Sequence, residues 1–477
     1  MNRYFLLWVL GLVVIAGCSN ERVEQLPMDE SLTVSERINK FVVEGVKTHY
    51  LWEETIDWSL YYNNETYAAY TKHEVLFDKL KHENDRWSSL SEDIKGLEDE
   101  FSGVSTTFGY VLAGYYHPYA GNKEVIAVVL YTSAGSPAAA AGLKRGDVIV
   151  EMNGGKITED NYRNLYYASS LTVRRGMLDA EAQTITTLPG TISMTAVEMY
   201  ENPVNTYKII EKGTHKIGYL CYTGYQIESE SELVRVFSGF KSAGVTDVVL
   251  DLRYNSGGYA RTALVLSSIL APKAVVERKD VYLKHRYNHF YTTYYESKGD
   301  DMKDRFTDTL PVNMNLDRLY VLTSEKTASA SEATMVGLAP YLNVIQIGST
   351  TSGKYCGGIL LSPEDLYGKN YQDYYSGFAN WGMYIMIYRY VNANGVTSFV
   401  DGLVPDIQAH EEIYNLKPFG VEDDPLLARA LAHIQGQTYA EKRSSDISPQ
   451  LVPLPDIRRF AGGMLIEEPS LPVLIEP

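Results

Sequence analysis

Apolar residues recur at three- and four-residue spacing through Ile38, Phe41, Val42, Val46 and Tyr50, with Thr33-x-x-Glu36 just ahead of them. That spacing predicts an amphipathic helix, and the Thr/Glu pair predicts a capping box at its start. A second helical pattern runs from about His73 to Lys81, with Val75, Leu76 and Leu80 on one side. Residues 31–100 are therefore expected to form a small helical domain in which Trp52, Trp58 and Trp87 pack. From Val104 the period changes. Tyr110-Val111-Leu112, Val125 to Leu130 and Val148-Ile149-Val150 are short β-type runs cut by glycines. From about 205 the pattern changes again. Val245–Arg253, Leu319–Thr323 and Asn343–Ile347 read as buried strands, with helical stretches at Ala260–Leu270 and from about Ser329 to Leu342. Strand, loop, helix, strand at this spacing predicts βαβ crossovers and a largely parallel sheet.

Reactive loops of such sheets gather at the carboxyl ends of the strands. Arg253–Gly258, Lys326–Glu332 and Ser349–Lys354 all lie just past strand ends and are expected to converge. A serine hydroxyl becomes a useful nucleophile when a neighbouring base takes its proton. Lys354 can be that base for Ser329 only when neutral, which requires burial to bring its pKa from about 10.4 to about 7 or 8. The oxyanion formed on attack needs donors. Ala330, at the helix start, has an N–H without an intrahelical acceptor, and Gly257 or Gly258 can bring backbone close to substrate. The same letters have a plainer meaning: Ser329-x-x-Glu332 is a capping-box pattern, Gly257-Gly258 a tight turn, and Lys354 a loop lysine. His285-x3-His289 lacks the glutamate of a zinc-protease helix, so no metal or other cofactor is expected.

The segment Gly135-Ser-Pro-Ala-Ala-Ala-Ala-Gly-Leu143-Lys-Arg-Gly-Asp147, continuing to Asn153-Gly154, resembles the signature of PDZ domains. The resemblance implies a peptide C-terminus added as a strand, with its carboxylate received by Phe108, Gly109, Tyr110 and Val111. Lys326-Thr-Ala-Ser329-Ala-Ser331-Glu332, Gly353-Lys354 and Asp251-Leu-Arg253-Tyr-Asn255-Ser-Gly257-Gly258 resemble the three core motifs of the S41, or carboxyl-terminal processing, peptidases. Asp401–Asp406 and Asp423–Leu427 resemble that family's closing segment. The resemblance implies a Ser/Lys endopeptidase with Ser329 as nucleophile and Lys354 as base; Ser331 and Thr327 are the rival hydroxyls. One position departs from the family: Gly358 stands where many members carry a glutamine that orients the lysine. A non-catalytic peptide-binding protein on the same scaffold is the alternative.

The N-terminus supplies an address. A basic start, an apolar run from Tyr4 to Ile15 and the small pair Ala16-Gly17 before Cys18 describe an export signal. Val14–Cys18 resembles the lipobox of bacterial lipoproteins, which implies cleavage before Cys18, lipidation of its thiol, and anchoring in the bacterial cell envelope. The expected architecture is multidomain α/β (α+β). Its parts are a signal 1–18, a tether 19–30, a helical domain 31–100, a β-rich domain 104–200, a βαβ core 205–435 and a proline-containing tail 436–477.

Composition changes this picture little. The 477 residues are 45% hydrophobic, as in ordinary globular chains, and their length exceeds one common core. A net charge of −17 speaks against a nucleic-acid partner. Protein or peptide substrates with free C-termini are the expected partners. Of the 3 cysteines, Cys221 and Cys356 remain beyond the signal, and nothing in the sequence sets their separation.

Overall fold

The computed structural model describes residues 31–120, 123–396, 399–437, 439, 451–456 and 464–466. The signal, Cys18 and the tether lie outside the described residues, as does most of the tail. Among the described residues no helix is long and apolar enough to cross a membrane.

Helix α1 (Val34–His49) starts at Thr33, whose hydroxyl accepts the Glu36 N–H at 3.3 Å while the Glu36 carboxylate accepts the Thr33 N–H at 2.7 Å. Its apolar face, Ile38, Phe41, Val42 and Val46, is buried. Helix α2 (His73–Leu80) buries Leu76, Phe77 and Leu80. Val75, expected on that face, is 46% exposed, because Phe77 takes the inward position beside Leu76 and Leu80. Helix α3 (Ile94–Phe101) follows. This stretch has no core of its own. Phe41, Leu76 and Phe101 belong to the same apolar cluster as Tyr225, Leu266 and Tyr384. The strand Ser89–Ser91 pairs antiparallel with Gly382–Tyr384, and Leu51 N–H donates to the Met386 carbonyl at 2.8 Å. The helices of this stretch carry more apolar face than they can bury on one another, and the neighbouring sheet covers the excess.

The β-rich unit is a sheet of β1 (Tyr110–Tyr116), β2 (Val125–Thr132), β3 (Val148–Met152), β4 (Ser170–Asp179) and β5 (Thr184–Thr187), antiparallel in that order. Short helices α4 (Pro137–Ala140) and α5 (Asn164–Tyr167) pack on it. Its two ends are stitched together by an antiparallel pair, Val104–Thr107 with Val197–Tyr200. One sheet face rests on the main core through Val111, Val128 and Leu130 against Tyr254 and Leu416.

The remaining chain builds two sheets. The first runs β6 (Val204–Lys212), β7 (His215–Tyr222), β8 (Asp247–Asp251), β11 (Arg318–Thr323), β12 (Asn343–Gly348) and β15 (Ile407–Gln408). All its neighbours are parallel except β6 with β7. Helices α6 (Glu230–Ser242), α7 (Ala260–Leu270), α8 (Ala330–Leu338) and α9 (Pro425–Ile434) accompany these strands. The second sheet runs β9 (Gly257–Tyr259), β16 (Met464–Ile466), β13 (Cys356–Leu361), β14 (Gly382–Asn392) and β10 (Val281–Tyr287). Its strand β16 comes from the tail. The closing segment has structural work: Asp424 accepts the N–H groups of Leu426 and Leu427 and pairs with the fully buried Arg253 at 2.8 Å. Cys221 and Cys356 are both buried and unpaired, one under each sheet.

Candidate active site

The three loops meet as expected. Ala328 N–H donates to the Asn255 carbonyl at 3.1 Å, and Ser352 N–H donates to the Thr327 carbonyl at 2.9 Å. Ser329 opens α8 with φ 62° and ψ −112°, a conformation an L-residue holds only at a cost of about 1–3 kcal/mol. Its neighbours impose that conformation. The buried Glu332 carboxylate accepts the N–H of Ser329 (2.6 Å), Gly353 (2.7 Å) and Lys354 (2.9 Å), and the Thr351 hydroxyl at 2.5 Å. One carboxylate thus ties the nucleophile loop to the lysine loop. Burial pushes the Glu332 carboxyl up to about 7 although these four donors pull the other way.

The rival hydroxyls are occupied. Ser331 donates to the Asn255 carbonyl at 3.1 Å, and Thr327 donates to the Leu252 carbonyl at 2.8 Å. Ser329 Oγ is buried and has no hydrogen-bond partner. A buried polar atom left unpaired costs about 1–3 kcal/mol.

Lys354 is fully buried, and desolvation pulls its ammonium down to about 8. At neutral pH, keeping the charge there costs about 3 kcal/mol. Its Nζ donates to Tyr384 Oη at 2.8 Å and lies 4.8 Å from the ring centroid of Tyr384 and 5.8 Å from that of Trp87. Trp87, expected only to pack, is thus one wall of the lysine pocket. Gly358 sits in β13, where a Cβ would run into the Ile385 carbonyl oxygen, so no glutamine fits without backbone movement. The Tyr384 hydroxyl occupies the orienting role from the adjacent strand. Tyr390 joins the two loops from the other side, its hydroxyl shared between the carbonyls of Lys354 (2.8 Å) and Ser329 (3.3 Å).

The donors need one correction. Gly257 gives its N–H to Asn255 Oδ1 at 2.9 Å and is not available to an oxyanion. The Asn255 turn that shapes this loop consumes it. The other two candidates are Gly258 and Ala330: Gly258 has φ 141°, no room for a Cβ beside the Tyr225 carbonyl and Leu465 of β16 as its ladder partner, so its N–H is open to an oxyanion only when that strand is away, and Ala330 is the first residue of α8. In the β-rich unit, Phe108 and Gly109 form a closed turn, and Tyr110 and Val111 already belong to β1. Gly109 N–H donates to Thr107 Oγ1 at 2.9 Å, and the Phe108 and Gly109 carbonyls accept from Ala138 and Ser133. The residue just past them, Leu112, donates its N–H to the Tyr166 hydroxyl at 2.7 Å. Among the described residues no cluster of His, Cys, Asp and Glu has the makings of a metal site.

Residues 216–409 match peptidase family S41. The chain is similar to a carboxyl-terminal-processing protease of Picosynechococcus sp. (26% identity, covering 49% of this chain and 52% of that protein). It is also similar to the chloroplastic C-terminal processing peptidase of Tetradesmus obliquus (26% identity, 62% and 59%). The chain thus spans somewhat over half the length of these relatives. Two solved structures share its fold. One is a candidate S41 protease from Bacteroides fragilis (TM-score 0.67, 24% identity, 83% of this chain and 97% of that one). The other is the photosystem II D1 C-terminal processing protease (TM-score 0.51, 20% identity, 88% and 100%).

Proposed function

We propose that this protein is a serine endopeptidase of the carboxyl-terminal processing type, acting through Ser329 and Lys354. The observation that carries the reading is the buried, unpartnered Ser329 hydroxyl on a loop that the Glu332 carboxylate ties to the loop of Lys354, a lysine whose burial brings its proton affinity near neutrality. Neutral Lys354 takes the Ser329 proton as Oγ attacks the substrate carbonyl carbon. The N–H groups of Gly258 and Ala330 receive the oxyanion, which forms only after attack and so is favoured over the ground state. Lys354 then passes the proton to the departing amine nitrogen, leaving an acyl ester on Ser329. A water molecule, deprotonated by the same lysine, releases the acid.

The β-rich unit is read as a PDZ domain that seats a substrate C-terminus on the edge of β1, and Cys18 as the lipid anchor of an exported envelope protein. Substrates are then protein or peptide chains with free C-termini. The alternative is a non-catalytic peptide-binding lipoprotein on the same scaffold; the Tyr384 hydroxyl against Lys354 speaks against the part of it that rests on Gly358. The test is a soluble form lacking residues 1–18, assayed on tail peptides beside Ser329→Ala and Lys354→Ala. Activity lost in both folded variants and untouched by a chelator supports the reading. Binding without cleavage by every form sinks it. Mass spectrometry of the cellular protein, finding a lipidated Cys18 at the new N-terminus, tests the anchor.

A further inference from the structure

Two pieces of the C-terminal tail lie where peptides are expected to bind. Residues 451–456 run antiparallel along the open edge of β1. Tyr116 N–H donates to the Val452 carbonyl, and Leu454 N–H donates to the Gly114 carbonyl, each at 2.9 Å. Leu454 enters the core of the β-rich unit, and the Tyr162 hydroxyl holds the Pro455 carbonyl at 2.6 Å. Asp456 then pairs with Lys326 of the nucleophile loop at 2.9 Å.

The second piece is β16. It pairs parallel with β9 (Gly257↔Met464, Gly258↔Leu465, Tyr259↔Ile466) and meets β13 at Gly358↔Ile466. Strand β9 carries the oxyanion glycine, and β13 follows the catalytic lysine. Neighbouring strands lie about 4.8 Å apart, so removing β16 leaves a slot about 10 Å wide, room for one extended chain. Leu465 is buried, and its backbone is clasped by the hydroxyl that holds Lys354. Tyr384 donates to the Leu465 carbonyl at 2.9 Å and accepts its N–H at 3.1 Å. Ser329 and Lys354 have no exposed surface in this arrangement.

We propose that residues 451–456 and 464–466 are the protein's own resident peptide ligand, the first seated on the β1 edge and the second in the slot between β9 and β13, so that substrate enters only by displacing them. The proposal rests on the peptidase reading for its catalytic consequence, but the occupancy itself does not depend on that reading. Strand addition explains the fit, since backbone hydrogen bonds supply the attachment and Leu454 and Leu465 supply the anchors. A covalently tethered ligand has an effective concentration in the millimolar range. A segment that binds with a Kd of only about 0.1 mM would then leave about a tenth of the molecules open.

The experiment compares the soluble full chain with a form ending at residue 436 and with the point variants Leu465→Asp and Leu454→Asp. The expected result is a rise of about tenfold in kcat/KM on an extended peptide. A synthetic 451–466 peptide added in trans should return the truncated form to the full-chain rate. Rates equal to or below the full chain's in all three folded variants would overturn the proposal. Amide exchange on the Ser329→Ala full chain gives a readout without catalysis. Slow exchange at Leu454, Leu465 and Tyr116, lost at Tyr116 on truncation, supports occupancy even if no form cleaves anything, in which case it is the peptidase reading that fails. Exchange at Leu454 and Leu465 as fast as in the free peptide overturns the proposal.

Discussion

Thr33-x-x-Glu36 and Ser329-x-x-Glu332 are the same four-residue pattern at two places far apart in the chain. At the exposed Thr33 the backbone is extended, at φ −64° and ψ 161°, and both halves of the box form. At the buried Ser329 the two halves differ: the glutamate accepts the backbone N–H at 2.6 Å, while the serine side chain keeps the capping-box placement without completing a hydrogen bond. Glu332 accepts the Ser329 N–H, but it also gathers Thr351, Gly353 and Lys354, while Ser329 Oγ makes no hydrogen bond and φ swings to 62°. A cap in water is worth about 1 kcal/mol of helix stability. The same letters in a desolvated junction of three loops leave the serine hydroxyl without a hydrogen bond. The difference lies in what competes for the glutamate and in the absence of water to satisfy the serine.

Several substitutions would break or sharpen that contrast. The largest effect is expected at the dyad, where Ser329→Ala or Lys354→Ala should lower kcat by about a thousandfold or more while thermal unfolding shows a folded protein. Retained activity in Ser329→Ala with loss in Ser331→Ala would move the nucleophile two positions along α8. Glu332→Gln should come next. An amide offers one acceptor oxygen where four donors converge, so kcat should fall about a hundredfold and stability by about 2 kcal/mol. No such double loss is expected at Glu36→Gln, where the box is exposed.

The wild-type rate should rise with pH through about 8, because Lys354 is held down to that value and only the amine accepts a proton. Tyr384→Phe removes an oxygen that accepts from the ammonium and so favours the charged form. The rising limb should therefore move to lower pH while kcat drops about tenfold; a limb that stays in place would mean that Tyr384 only packs. The smallest effect is expected at Thr33→Ala: about 1 kcal/mol of stability, read by denaturant unfolding, with kcat/KM unchanged.

Much of this site was legible because it is local. Ser329, Lys354, Gly258 and Ala330 sit in short blocks placed just past strand ends, and a βαβ pattern is enough to bring such loops together. Strand and helix positions such as Asp247–Asp251 and Ala260–Leu270 followed from hydrophobic runs. Tyr384, Tyr390 and Trp87 were not legible. They reach the site from a distant strand and from the helical stretch, and one aromatic among 38 tyrosines carries no signal of its own. Gly257 could not be separated from Gly258, since which N–H turns toward Asn255 depends on φ and ψ rather than on residue type. The shared core of residues 31–101 was hidden for a similar reason: periodicity tells which face is apolar, not what covers it.

The sequence by itself determined the order of the main strands and helices and the loops that bring Ser329 and Lys354 to one junction, because spacing, turn residues and side-chain type act within a few positions. Tertiary structure decided three things. It lowered the lysine's proton affinity by burial, it let Tyr384 stand in where Gly358 leaves no room for a side chain, and it laid Met464–Ile466 between Gly257–Tyr259 and Cys356–Leu361. Each depends on groups far apart in the chain being pressed together away from water. There a missing partner is costly and a backbone edge takes whatever strand is at hand.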